Sequence, residues 1–140
     1  MCLVVTVRIS PADAVEVAKF ISRAPLARVK FGSNQKREAP TSYEIYPDDN
    51  CACVFMAGGL NELRWRLTAE ARSIFATVVR EIDSRTTRPW RFSVLWFADE
   101  PSGESSCFAA DLEKEILADR LSKDVHLVRP RRGRRVGPAA

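Results

Sequence analysis

Cys51-Ala52-Cys53 is the sharpest chemical pattern in the chain. On an extended strand, residues two apart point to the same face, so the pair would set two thiols side by side. That is the beginning of a zinc or soft-metal site, or of a redox couple. A structural zinc site normally takes four ligands, and the other donors are scarce. His126 is the only histidine, Cys107 is expected in a loop, and neither stands at metal-ligand spacing from the pair. Cysteine is also among the most buried residue types, and Phe55 continues the same face. Small apolar side chains on a core strand are therefore the favoured reading of Cys51 and Cys53, with a metal or redox site as the alternative. No cofactor is implied.

Nucleophilic catalysis needs an activated Ser or Cys beside a base, and His126, between Val125 and Leu127, is the one histidine available. A structural histidine is the simpler reading. The chain carries no G-x-S-x-G, H-E-x-x-H, P-loop or G-x-G-x-x-G pattern, which disfavours the enzyme classes that depend on them. Asp48-Asp49 and Asp99-Glu100 could serve acid/base or Mg²⁺ chemistry, but aspartate is a favoured turn residue in its own right. No catalytic residue is assigned.

Two features suit binding instead. Arg64-Trp65-Arg66 joins the residue types enriched at interface hot spots on an expected connection, and is the candidate surface for a protein partner. Arg129, Arg131, Arg132, Arg134 and Arg135 form a basic tail without acids, able to attract phosphates. The 140-residue chain has a formal charge of +4 and a pI near 9.1. Taking those five arginines from the 22 basic residues leaves 17 against 18 acidic ones in residues 1–128, so the basicity belongs to the tail. The tail has no interleaved aromatics for base stacking, and the body offers only Arg28, Lys30, Lys36 and Arg37 as a matching surface.

These features must be held by a fold. Hydrophobic residues make up 46% and charged residues 29%, as in ordinary globular chains, and this length suits one core. We expect one domain over 1–128 and a flexible tail over 129–140. Leu3–Ile9, β-branched and apolar, reads as a central strand. Ser10-Pro11-Ala12-Asp13 is a helix start, and the helix should run to about Ala24 before Pro25. Residues 26–42 read as an exposed loop. Tyr43–Tyr46 and Cys51–Met56 read as a hairpin across Pro47-Asp48-Asp49-Asn50. Thr68 should cap a helix on Ala71, Ile74, Phe75, Val78, Val79 and Ile82. Trp90–Phe97 alternates as a strand, Asp99–Ser106 reads as loop, and about Ala109–Lys123 as a helix on Leu112, Ile116, Leu117 and Leu121. A short strand, Val125–Val128, is optional.

The order β-α-β-β-α-β-α predicts an α+β fold, with a ferredoxin-like βαββαβ antiparallel sheet and an additional C-terminal helix that could cover the other sheet face. An uncovered face could instead pair two copies into a homodimer. The start lacks the basic, then uninterrupted apolar pattern of a secretory signal, because Arg8 breaks the run. With no apolar stretch near the ~20 residues of a membrane span, the expectation is a soluble, cytoplasmic protein with reduced thiols.

The leading expectation is a small non-enzymatic binding or regulatory protein acting through protein–protein contact. It is comparable with immunity proteins in size and architecture alone. Nucleic-acid binding through the tail and the loop around Lys36 is the alternative from a different class, and a Cys51/Cys53 metal or redox site is the third.

Overall fold

A computed structural model describes residues 3–23, 29–47, 52–55, 67–96, 103–121 and 124–130. Among them run β1 (Leu3–Arg8), α1 (Ala14–Arg23), β2 (Val29–Gly32), β3 (Ser42–Pro47), α2 (Ala69–Asp83), β4 (Trp90–Trp96), β5 (Glu104–Phe108), α3 (Ala109–Leu117) and β6 (Val125–Arg129). Single 3-10 turns occupy Pro11–Asp13 and Ala52–Phe55. The fold is mixed α+β, with three helices and one six-stranded sheet among the described residues, in the order β2-β3-β1-β4-β6-β5.

The strict alternation of β1 decides the layering. Leu3, Val5 and Val7 are buried, Val4 and Thr6 half-buried, and Arg8 exposed. Antiparallel pairing sets Val5 beside Ile45 and Val94, and Val7 beside Tyr43 and Phe92, so three strands deliver apolar side chains to one face. β6 continues that face, with His126 opposite Phe92 and Val128 opposite Trp90. β5 pairs in parallel with β6 at the edge, which requires a crossover that α3 provides.

All three helices pack on this face. Val17 and Phe20 of α1, Phe75, Val78, Val79 and Ile82 of α2, and Leu112 and Ile116 of α3 share one core with the strands. Phe75 is its hub, with its ring centroid 5.0 Å from Phe55 and 5.9 Å from Phe92. Edge-to-face packing of this kind adds roughly 0.5–1.5 kcal/mol per pair beyond burial. Thr68 caps α2, its hydroxyl accepting from the Ala71 N–H at 3.1 Å. Just past the C-terminal end of α3, Asp119 has a φ of 57°, in the left-handed region that Asp tolerates better than most residues. The Asp119 carboxylate accepts from the Leu67 N–H at 3.4 Å and lies 3.7 Å from the Arg72 guanidinium, tying α3 to the start of α2.

Several expectations are corrected here. Residues 29–32 are a strand, where a loop was expected. Val29 and Phe31 face the core while Lys30 and Gly32 face away, and four alternating residues suffice at an edge. Cys51–Met56 was expected to form a strand, but Ala52–Phe55 is a 3-10 turn. A short continuous apolar run does not distinguish strand from helix by periodicity, and here Ala52 and Phe55, three apart, are both buried. The hairpin partner of β3 is β2, with β1 on its other side. Glu104–Phe108, whose first residues read as loop from their polar composition, is β5. The sheet departs from the expected four-stranded antiparallel ferredoxin-like layout in having six strands in the order above and a parallel outer pair. The additional helix lies against α2, not on the other sheet face. No described helix is long and apolar enough to cross a membrane.

One buried carboxylate joins the two halves of the chain. Asp13, 2% exposed, accepts from the Thr87 N–H at 3.0 Å, the Thr87 hydroxyl at 2.7 Å and the Arg88 N–H at 3.2 Å. It fixes the start of α1 to the α2–β4 connection. Asp13→Ala leaves all three donors unpaired and should lower unfolding free energy by about 2–4 kcal/mol. Urea titration of the wild type and variant checks this, and a loss below about 1 kcal/mol would show that water replaces the carboxylate.

Candidate functional site

The register that buries Val5 and Val7 turns Thr6 and Arg8 to the opposite, open face. There Arg8 lies directly opposite Arg91 of β4 and Ser42 of β3, while Thr6 lies opposite Glu44. Two like charges paired across neighbouring strands are unfavourable. Arg91 is relieved in part, since its Nε–H donates to Glu104 on β5 at 3.3 Å. Among the described residues neither the Arg8 guanidinium nor the Glu44 carboxylate makes an ion pair.

The β2–β3 loop walls this end of the face. Gln35 holds it closed on itself: its Oε1 accepts from the Thr41 N–H at 2.8 Å, and its amide donates to the Thr41 hydroxyl at 3.2 Å. Ile9 N–H in turn donates to the Thr41 carbonyl at 2.8 Å, fastening the loop to the end of β1. Between loop and sheet lies a cleft of about 530 Å³, lined by Arg8, Ile9, Ser33, Asn34, Gln35, Thr41, Ser42, Glu44 and Arg91. Its volume falls among small-molecule sites, roughly 300–1,000 Å³. Lys36 and Arg37 are exposed on the same loop. The lining offers charged side chains and neutral hydrogen-bonding groups to a polar ligand.

Cys51, Arg64, Trp65, Arg66, Arg131, Arg132, Arg134 and Arg135 are outside the described residues, as are Asp48, Asp49, Asp99 and Glu100. Cys53 belongs to the 3-10 turn, to which the alternation that would have aligned two thiols does not apply. Among the described residues no group of three His, Cys, Asp or Glu could hold a metal ion. Arg129 is the last residue of β6, with its guanidinium 4.8 Å over the Phe108 ring of the neighbouring edge strand β5; it is part of the sheet. His126 is 1% exposed, and its Nδ1 lies 2.9 Å from the Ser105 hydroxyl across the β5–β6 pair. A buried imidazole paired to a strand hydroxyl on the core face is a packing group. Trp90 is likewise core, its indole N–H donating to buried Asp83 at 3.2 Å.

Sequence reasoning missed Arg8, Glu44 and Arg91. Each carried a signal as the charged member of an alternating strand, but only strand pairing shows that they meet. No known protein family, curated protein or solved structure matches the chain.

Cys107, half-buried beside His126's strand, has its thiol pushed up to about 11, chiefly by burial and then by Glu115 and Asp111. The folded protein thus keeps a proton that the unfolded chain gives up from about pH 9. The thiol's contribution to stability is complete below that pH and falls as pH rises toward 11. Iodoacetamide labelling mapped by mass spectrometry should show Cys107 reacting with an apparent pKa near 11 in the folded protein and an ordinary one in denaturant.

Proposed function

We propose that the chain is a non-enzymatic binding protein that recognises an anionic group of its ligand or partner in the cleft at Arg8 and Arg91. The observation that carries this reading is the juxtaposition of two arginines across β1 and β4 at a polar cleft, with Arg8 lacking an acidic partner among the described residues. Guanidinium groups present planar, bidentate donors matched to carboxylate and phosphate. A like-charged pair that weakens the free protein is relieved when an anion bridges it.

Nucleic-acid binding is the second reading, favoured by exposed Lys36 and Arg37 on the loop that walls the cleft. Glu44 and Glu104 on the same face oppose a phosphodiester backbone and rank it second. With these we propose, for the fold, a ferredoxin-like unit in the neighbours β2-β3-β1-β4, extended by β5-α3-β6, and a cytoplasmic location. The antiparallel pairing among those four strands supports the first.

Arg8→Met separates stability from binding. Relief of the cross-strand repulsion should raise unfolding free energy by about 0.2–1 kcal/mol at low salt, a gain that shrinks as salt screens the wild-type pair. The same variant should lose the stabilisation that propionate or inorganic phosphate gives the wild type, which reaches about 2.7 kcal/mol at a hundred times Kd. Anion-dependent stabilisation equal in both proteins would remove the proposal.

A further inference from the structure

We infer that the cleft takes a small zwitterion, a carboxylate and an ammonium carried close together, of which a free α-amino acid is the simplest case. The inference rests on the anion-binding reading above and adds the second half of the ligand. Its basis is the position of Glu44. On β3 this residue is one step diagonal from Arg8, since Arg8 pairs with Ser42 and Thr6 with Glu44. Cross-strand diagonals separate backbones by about 7–8 Å, well within the combined reach of an arginine and a glutamate. Yet no ion pair joins them, and Glu44, like Arg8, has no charged partner among the described residues. A simple anion seated between Arg8 and Arg91 would meet the repulsion of Glu44 on the same wall. A ligand that brings its own cation converts that repulsion into a third polar contact.

The rest of the lining fits a compact hydrophilic ligand. Gln35 and Thr41 are committed to each other and form a wall already in place, so little ordering remains to be done on binding. Exposed Asn34 makes no hydrogen bond among the described residues and offers both a donor and an acceptor to the variable part of the ligand. Glu104 is a positioning residue: by accepting from the Arg91 Nε–H it leaves the terminal amino groups of that guanidinium for the carboxylate.

The test uses the full chain, labelled with ¹⁵N, and four probes at matched pH and ionic strength: L-alanine, propionate, ethylammonium and inorganic phosphate. Affinities are read from the amide shifts of residues 8, 33–35, 44 and 91. L-Alanine should bind about 10- to 100-fold more tightly than propionate or ethylammonium, the factor one added charge-assisted hydrogen bond supplies. Glu44→Gln should erase that advantage while leaving propionate binding in place or improved. Should propionate or phosphate equal or exceed L-alanine in the wild type, the zwitterion inference is overturned and the anion reading stands. Should no probe shift those amides, both are overturned. The comparison among probes needs no variant, so a folding defect in Glu44→Gln cannot mask the outcome.

Discussion

The pairing of β1 with β4 holds the molecule in one register, six residue pairs from Leu3–Trp96 to Arg8–Arg91. Because side chains alternate with period two, a slip of one residue would send Val5, Val7, Phe92 and Val94 to the open face and bring Thr6, Arg8, Arg91 and Ser93 into the core. Burying one large aliphatic or aromatic side chain is worth about 1.5–3 kcal/mol, so no slipped register competes. The same constraint leaves Arg8 no choice of neighbour. Packing on one face thereby dictates electrostatics on the other, and the apposed arginines follow from a register that the core enforces.

Everything else braces that pair of strands. α2 lies over them with Phe75 between Phe55 and Phe92, so residues from the 3-10 turn, the helix and the central sheet share one contact. Asp13 closes the circuit from the end of β1 through the start of α1 to the residues leading into β4. α3 then rests on α2 and carries the chain from β5 to β6, extending the sheet by two strands on the β4 side. On the opposite side, the Gln35–Thr41 bonds hold the β2–β3 loop against β1. The cleft is formed where that loop meets the ends of the two strands with the most secure register.

The parts of the fold legible in the sequence were those where local pattern and tertiary burial agree. α2 shows its period of 3.6 at every core position, and the caps at Ser10 and Thr68 are geometric consequences of their residue types. β1 and β4 alternate cleanly. The misread segments are those where burial alone decides between conformations. Ala52–Phe55 is apolar throughout and therefore has no period to read. Val29–Gly32 is short and lies at an edge, and Glu104–Phe108 is polar because one of its faces is exposed. The cleft was illegible for a different reason. Arg8, Glu44 and Arg91 are far apart in the chain, and each alone is an ordinary solvent-facing strand residue. Their meaning is created by pairing, which a single sequence does not encode locally.

The basic pI illustrates the same distinction between sum and arrangement. Residues 1–128 are close to neutral, and most of the excess charge lies in the final arginines. A long-range field from a tail can attract phosphate, but screening limits it to about 10 Å at 0.1 M salt, and it selects nothing beyond charge. Arg8 and Arg91 are instead cross-strand neighbours set by the register, with Glu44 one diagonal away. The neighbours of each charge on the sheet are set by the strand register, and Arg129 shows the corollary. Although first in the arginine-rich stretch, it ends β6 over the Phe108 ring, so its place in the sheet describes it better than its place in the sequence.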